Sequence, residues 1–164
     1  MKAKKKKKKP TIPKQVRKLE IQCEKLWKEI CFLRDGRQCM VQKLYPTIDI
    51  EHAGYLQIDH CITRKNKWFF YEPRNGTVVC GSCNRAKYYK QKSVDRAIDE
   101  IVHTREGEKF FSSMVSVDQS MAPNHGWKKV WWLEETLGKL KKALFDEQKK
   151  GSNGDPSLPN FLFS

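Results

Sequence analysis

The longest regular alternation of apolar and polar positions in the chain runs from residue 13 to residue 36. Lys, Arg, Glu and Gln fill most of this segment, and Pro13 suits a first helical turn. The apolar positions recur at alternating steps of three and four residues, at Val16, Leu19, Cys23, Leu26, Ile30 and Leu33. This pattern predicts one amphipathic helix. Because the stripe is shorter than three heptads, a helix docked on its own domain is favoured over a coiled-coil dimer.

Shorter patterns predict the remaining elements. Two β-prone runs around Ala53-Gly54 predict a hairpin over residues 48–60. A short strand is predicted over 77–79 and a helix over 81–90, and Ser93 suits the N-cap of a further helix. A last helix is predicted over about 127–148, after a connector at 112–126 that contains Ser, Asp, Pro and Gly.

These patterns together predict an α+β chain with five segments. The segments are a disordered lysine-rich tail at 1–12, the amphipathic helix at 13–36, a small core at 37–92, a helical extension at 93–148 and a loose tail at 149–164. No stretch approaches the roughly 18 apolar residues that cross a membrane. No apolar segment follows the lysine run either, so it does not resemble a secretory signal. We therefore expect a soluble, intracellular protein with no membrane partner.

The charge balance points to a polyanionic partner. The chain carries 33 Lys and Arg against 19 Asp and Glu, a net charge of +14, and it stays at +7 without the seven lysines of residues 1–9. Each phosphate that such a surface neutralises releases counterions and so favours binding of nucleic acid. Two other uses of the charge stay open: a device for solubility, and, for the lysine run, a nuclear address rather than a nonspecific DNA tether.

Four polar residues of the stretch 58–87 have the chemistry that hydrolysis of a phosphodiester requires. His60 suits a general base, because the unperturbed pKa of a histidine side chain lies near neutrality. Asp59 and Asn84 offer hard oxygen ligands, which suit Mg²⁺ or Mn²⁺. Asn75 could hydrogen-bond backbone across the intervening loop and hold His60 in place. Each signal alone is weak, since an Asn before Gly is usually only a turn residue.

The joint spacing of these residues resembles the HNH endonucleases. In that family an Asp/His-His pair precedes Asn-x-x-x-x-Cys-x-x-Cys, followed by His or Asn and then x-x-Lys. The matching positions here are Asp59, His60, Asn75, Cys80, Cys83, Asn84 and Lys87. With Asn at the last ligand position the chain is an H-N-N variant. The surrounding residues are most similar to the NinG recombination proteins of lambdoid phages, although Tyr88-Tyr89 stands where those continue with Ser-Gly-Asn.

The resemblance covers about residues 39–92 and implies a ββα-metal fold with the scissile phosphate beside the metal. It assigns the general base to His60, the metal ligands to Asp59 and Asn84, and the orienting role to Asn75. The expected function is divalent-metal-dependent hydrolysis of DNA in phage recombination, repair or genome processing, in the host cytoplasm if the protein is phage-encoded.

The cysteines raise the question of a second metal. Many HNH proteins share a structural Zn²⁺ between two CxxC pairs, and Cys80 and Cys83 form one such pair. Cys39 lies where the other pair is expected, but Gln42, a poor zinc ligand, replaces its second cysteine. His52 and Cys61 are both candidates for a fourth ligand, and buried, metal-free cysteines remain the alternative. Two further cysteines, at positions 23 and 31, are interpreted as core.

Basic and aromatic residues interleave between the candidate base and Asn75. The cations predicted to contact nucleic acid are Arg64, Lys65, Lys67 and Arg74 in this loop, and Arg85, Lys87 and Lys90 on the following helix. The four adjacent aromatics, 68–71, could stack on bases or form the small core of an ordered loop.

Two other functions remain open on the sequence. One is a noncatalytic, zinc-ribbon-like DNA-binding module, in which Asp59, His60 and Asn75 are incidental. The other is an RNA endonuclease of the same fold. Monomer and homodimer are both compatible with the sequence, although one ββα-metal site cuts one strand, so a double-strand cut would need two.

Overall fold

The structure is a computed structural model that describes residues 11–61, 68–116 and 126–152. The described part holds six helices, a 3-10 turn and two strands. In chain order they are α1 (Ile12–Asp35), α2 (Met40–Leu44), β1 (Leu56–His60), the turn Pro73–Asn75, β2 (Gly76–Cys80), α3 (Gly81–Tyr88), α4 (Lys92–Glu106), α5 (Glu108–Ser116) and α6 (Gly126–Ser152). Parts of four predicted segments lie outside the described residues: 1–10 of the tail at 1–12, the loop cations at 64–67, 117–125 of the connector at 112–126, and 153–164 of the loose tail at 149–164.

Helix α1 packs against another helix of the same chain. It ends at Gly36, whose φ of +69° suits a residue without a side chain, and it packs along α6 through Leu19, Cys23 and Ile30 against Leu133 and Leu140. This confirms the docked helix that the short stripe predicted. The buried face is rotated from the predicted one, because Trp27 and Cys31 are buried whereas Leu33 is exposed.

The two strands form an antiparallel sheet in which β1 pairs with β2. The register sets Leu56 opposite Cys80, Ile58 opposite Val78 and His60 opposite Gly76. The predicted hairpin over 48–60 is therefore wrong in its first half, because residues 48–55 form no strand. The turn at Ala53-Gly54 instead packs against the start of α3, where Ser82 N donates to Ala53 O at 3.1 Å.

Three charged side chains form hydrogen bonds with backbone groups on the edge of β2 that faces away from β1. Asp35 accepts a hydrogen bond from Val78 N at 2.9 Å, and Arg34 and Arg105 donate to Gly76 O at 2.7 and 3.0 Å. These bonds fix the last turns of α1 and α4 to the sheet. They also occupy backbone groups that an open strand edge would present to other chains.

A second core lies under helices α2, α3 and α4, where Val41, Val79, Val94 and Ile98 are buried together with three cysteines. Helix α4 begins at Lys92 with Gln91 at its N-cap position, so the expected cap at Ser93 is wrong.

Two segments are more helical than the sequence patterns indicated. Helix α5 extends into the predicted connector as far as Ser116, and α6 continues to Ser152, into the segment expected to be a loose tail. The described chain is thus an α+β arrangement, mostly helical with one small sheet. Among the described helices, none is both long enough and apolar enough to span a membrane.

Candidate metal centre and adjoining polar site

Cys39, His52, Cys80 and Cys83 bring one ligand atom each to a common point. The four atoms, three sulfurs and a ring nitrogen, all lie within 4.8 Å of one another. The three cysteines are buried and His52 is half-buried. The predicted trio of cysteines is therefore together in space, and these four residues could hold a metal ion.

Four of the six separations between the ligand atoms are close to those of tetrahedral coordination. Cys39 Sγ and Cys83 Sγ are 3.8 Å apart, and His52 Nδ1 lies 3.8, 3.6 and 3.3 Å from the sulfurs of Cys39, Cys80 and Cys83. A tetrahedral Zn²⁺ with ordinary bond lengths would set sulfurs about 3.8 Å apart and a sulfur and a nitrogen about 3.6 Å apart. The donor set and the spacing thus agree with a closed structural zinc site.

Local backbone geometry places each of the four ligands. Cys39 and Cys80 stand at the N-cap positions of α2 and α3, and Cys83 lies in the first turn of α3. The loop that carries His52 is fastened to the same helix, because Ser82 Oγ lies 3.3 Å from both the nitrogen and the oxygen of Ala53. Two helix starts and one anchored loop therefore converge on the cluster.

The cluster already stabilises negative charge on sulfur. A hydrogen bond with Cys83 lowers the pKa of Cys39 to about 4, against the desolvation that opposes it, and backbone amides of Gln42 and Cys80 lower it further. The same hydrogen bond and burial raise the pKa of Cys83. We take the pair to share one proton, which a bound cation would displace because metal-bound cysteines are thiolates.

The fourth ligand settles a choice that the sequence left open. His52 joins the cluster, whereas Cys61 lies elsewhere and donates to Asp99 Oδ1 at 3.2 Å. Gln42, which argued against a complete site, contributes its backbone to Cys39 rather than a side-chain ligand. The Nε2 of His52 is buried and has no hydrogen-bond partner among the described residues.

A second polar site lies at the other end of the sheet, where β1 ends beside α3. The ammonium of Lys87 lies 2.7 Å from Asp59 Oδ2 and 2.8 Å from the carbonyl oxygen of His60. Asn84 precedes Lys87 by three residues on α3 and so belongs to the same helix face. The side chains of Asp59 and Lys87 thus meet here and His60 contributes its backbone oxygen, with Lys87 in an ion pair rather than on a free basic surface.

His60 is fixed by aromatic neighbours. Its ring stacks on Trp27, with 4.4 Å between centroids and an interplanar angle of 16°, and lies 5.2 Å from the Phe70 ring. The side chain is only 6% exposed, and its Nε2 is 2.8 Å from the backbone oxygen of Phe70. Since a carbonyl only accepts, Nε2 is the donor in this bond, and in a neutral ring the lone pair is then on Nδ1.

Asn75 braces the loop that holds His60. It is fully buried, and its Nδ2 donates to the backbone oxygen of Phe69 at 3.1 Å. Its backbone oxygen also accepts from Cys61 N at 2.9 Å, which extends the strand pairing beyond His60. The predicted bond from Asn75 across the loop is therefore present, one residue away from the carbonyl that orients His60.

The predicted nucleic-acid contacts fall into two groups among the described residues. Arg85 and Lys90 are exposed. Arg74 is exposed as well, but it pairs with Glu72, at 2.9 Å, and its guanidinium lies 4.0 Å from the centroid of the Phe110 ring. Phe69 packs on the same Phe110 ring, which supports the interpretation of the loop aromatics as a small core.

Two residues of these sites, Trp27 and Asp99, were not predicted from the local sequence. Trp27 lies on α1, remote in the chain from His60, and nothing in the helical pattern distinguishes it from an ordinary core residue. Asp99 lies on α4, where the charges of Asp59, Lys87 and Asp95 act on its carboxyl group. Burial raises the pKa of this carboxyl.

The chain matches no protein-family model, no curated protein and no solved structure.

Proposed function

We propose that this protein is a metal-dependent endonuclease with a ββα-metal core that hydrolyses phosphodiester bonds in DNA. The observation that carries the proposal is the contact of Asp59 with Lys87 where β1 ends against α3, next to His60, whose ring is held against Trp27 and Phe70. Strand, strand and helix follow in the order that the HNH resemblance implies, and Asn84 shares the helix face of Lys87.

Each residue of this site has a chemical task in the proposed reaction. His60 Nδ1 takes a proton from the attacking water, while the bond from Nε2 to Phe70 holds the ring in its reactive tautomer. Trp27 and Asn75 keep the ring and its loop in place. Asp59 and Asn84 supply hard oxygens for Mg²⁺ or Mn²⁺, which when bound stabilises charge on the phosphate and the leaving oxygen.

The proposed zinc acts on the fold rather than on the reaction. All four coordination positions of a tetrahedral zinc ion would be filled by Cys39, His52, Cys80 and Cys83. A catalytic zinc, in contrast, keeps one position for water. Bound zinc would tie α2, the loop at 52 and α3 together, and so fix the helix that carries Asn84 and Lys87. The structural metal is thus proposed beside the start of β1 and the catalytic metal beside its end, with the consecutive α3 residues Cys83 and Asn84 as one ligand of each.

DNA is proposed as the substrate because of charge. The net charge of +14 favours a polyanion, and Arg85 and Lys90 are exposed on the α3 side of the site. RNA carries the same phosphates, so RNA is the matched comparison.

A plasmid nicking assay tests the proposal. Supercoiled DNA is incubated with the purified protein in EDTA, Mg²⁺ or Mn²⁺, beside Asp59→Ala and a labelled RNA of matched length. We expect nicking that requires Mg²⁺ or Mn²⁺ and is lost in Asp59→Ala. Cleavage of RNA in preference to DNA would identify a ribonuclease of this fold, and no cleavage of either by folded, zinc-loaded protein would reject the enzyme.

One observation favours a second candidate, a noncatalytic zinc-stabilised module that binds DNA. His60 is almost wholly buried, and the carboxylate of Asp59 is already paired with Lys87. Under this alternative both residues serve stability alone. DNA binding by a protein that never cuts, with binding unaffected by Asp59→Ala, would support it.

A further inference from the structure

The turn between α3 and α4 exposes two adjacent tyrosines. Tyr88 and Tyr89 are 79% and 74% exposed, with ring centroids 5.3 Å apart and an interplanar angle of 80°. Exposing two neighbouring aromatic rings forgoes apolar burial, and on a monomer such a patch usually marks an interaction site.

The backbone beneath these tyrosines is fully bonded. Tyr89 N, Lys90 N and Gln91 N donate to the carbonyl oxygens of Arg85, Lys87 and Ala86 at 3.0, 2.9 and 2.9 Å. Lys90 has a φ of +60°, a left-handed conformation that such a helix end requires. The two rings therefore stand side by side on a turn whose backbone is defined by hydrogen bonds.

Positively charged residues flank the pair along the chain. Residues 84–92 contain four cations and no acidic residue. Lys87 is directed inward to Asp59, whereas Arg85, Lys90 and Lys92 are exposed, and none of these three joins an ion pair within the described residues. An aromatic surface edged by free cations suits a ligand that has both flat π-faces and phosphates.

We propose that Tyr88 and Tyr89 form a corner that receives one unstacked base, so that the protein prefers DNA with unpaired nucleotides over fully paired duplex. The near-perpendicular rings let a base stack on the free face of one ring and direct its own edge at the other ring. Bases inside an intact duplex have both faces covered, so only an unpaired base can enter. Arg85, Lys90 and Lys92 hold the flanking phosphates.

This inference deepens the proposed function, on which it rests for the choice of nucleic acid, and it is tested by binding rather than cleavage. Fluorescence anisotropy in EDTA measures the affinity for a labelled oligothymidine strand, a forked duplex and a blunt duplex of equal length. We expect the wild-type protein to bind the first two more tightly. Tyr88→Ala/Tyr89→Ala should lose that preference by on the order of 10-fold, while Tyr88→Phe/Tyr89→Phe retains it.

Tyr55 is the matched control. It is 80% exposed and adjoins Gly81, at the opposite end of α3, so Tyr55→Ala should leave the preference unchanged. Equal affinity for fork and blunt duplex, or an undiminished preference in the double alanine variant, would overturn the proposal. Such a result alongside metal-dependent cutting leaves the nuclease intact. A tyrosine-dependent fork preference without cutting would instead reject only the nuclease.

Discussion

The ammonium of Lys87 lies 2.7 Å from the carboxylate of Asp59, and both side chains are more than four-fifths buried. This ion pair joins the end of α3 to the end of β1. A buried charge that loses its partner keeps its desolvation cost without the compensating attraction. The pair therefore couples the stability of the sheet end to the position of the helix.

We predict that Lys87→Met and Asp59→Asn each lower the free energy of unfolding by about 1–3 kcal/mol, and that the double variant loses less than the sum. Urea unfolding monitored by tryptophan fluorescence measures all three. The exposed pair of Lys139 and Glu135 provides a control, because Lys139→Met should change stability by less than about 0.5 kcal/mol. Strict additivity of the two buried substitutions would show that the pair is not coupled.

Removal of the His60 imidazole should separate chemistry from binding. We predict that His60→Ala lowers the rate of DNA cleavage by roughly 10²–10⁴ while affinity for DNA changes little, because the ring is a base and not a phosphate ligand. Since the ring packs on Trp27, circular dichroism must first show that the variant is folded. His103→Ala, an exposed histidine beside Glu108, should cut at the normal rate. Normal cleavage by folded His60→Ala would remove His60 from the mechanism.

Local sequence patterns predicted the elements in which apolar residues recur at a regular spacing. Helices α1 and α6 and the strand at 77–79 emerged from the spacing of apolar residues, and the burial of Cys23 and Cys31 is confirmed. Helix α2 was missed because five residues, Met40–Leu44, are too short to show a helical period.

The errors arise where a partner is distant in sequence. The alternation at Leu56 and Ile58 does mark a strand, but pairing depends on β2, which follows a long loop. A local turn signal at Ala53-Gly54 therefore suggested the wrong partner. In the metal cluster, the Cys-x-x-Cys spacing drew attention to Cys80 and Cys83, whereas His52 has no fixed spacing to either and was only one of two candidates.

The buried thiol of Cys23 gives a pH dependence with a definite sign. Burial, and secondarily the charge of Glu20, raise its pKa from 9.0 to about 11, and its sulfur lies 3.6 Å from the backbone oxygen of Leu133, to which the thiol donates. The folded state thus keeps a proton that the unfolded chain releases. The stabilisation is complete below about pH 9 and is lost as the pH rises towards and past 11.

We predict that the free energy of unfolding falls between about pH 8 and about pH 11, and that Cys23→Ser reduces this fall by about 1–3 kcal/mol. Serine can still donate to Leu133 but does not titrate in this range. Urea unfolding of both proteins at the two pH values supplies the comparison. An identical pH dependence in the variant would mean that the thiolate of Cys23 is tolerated in the core.

The cluster of Cys39, His52, Cys80 and Cys83 should retain one zinc per chain through purification without added metal. Four of the six separations among its ligand atoms are close to those around a tetrahedral ion, and structural zinc can contribute on the order of 10 kcal/mol to folding. We predict that Cys83→Ser loses the zinc and lowers the melting temperature, and that a strong chelator does the same to the parent protein. Elemental analysis and thermal unfolding measure the two effects.

Cys61→Ser separates loss of zinc from loss of a buried thiol. Cys61 is buried like Cys83 but faces Asp99 outside the cluster, so the variant should keep a full equivalent of zinc. His52→Ala should weaken zinc binding less than Cys83→Ser, because three thiolates remain and water can occupy the vacated position. A parent protein with far less than one equivalent of zinc, together with Cys83→Ser as stable as Cys61→Ser, would mean that the three cysteines are core packing and that α2, α3 and the loop at 52 hold together without a metal.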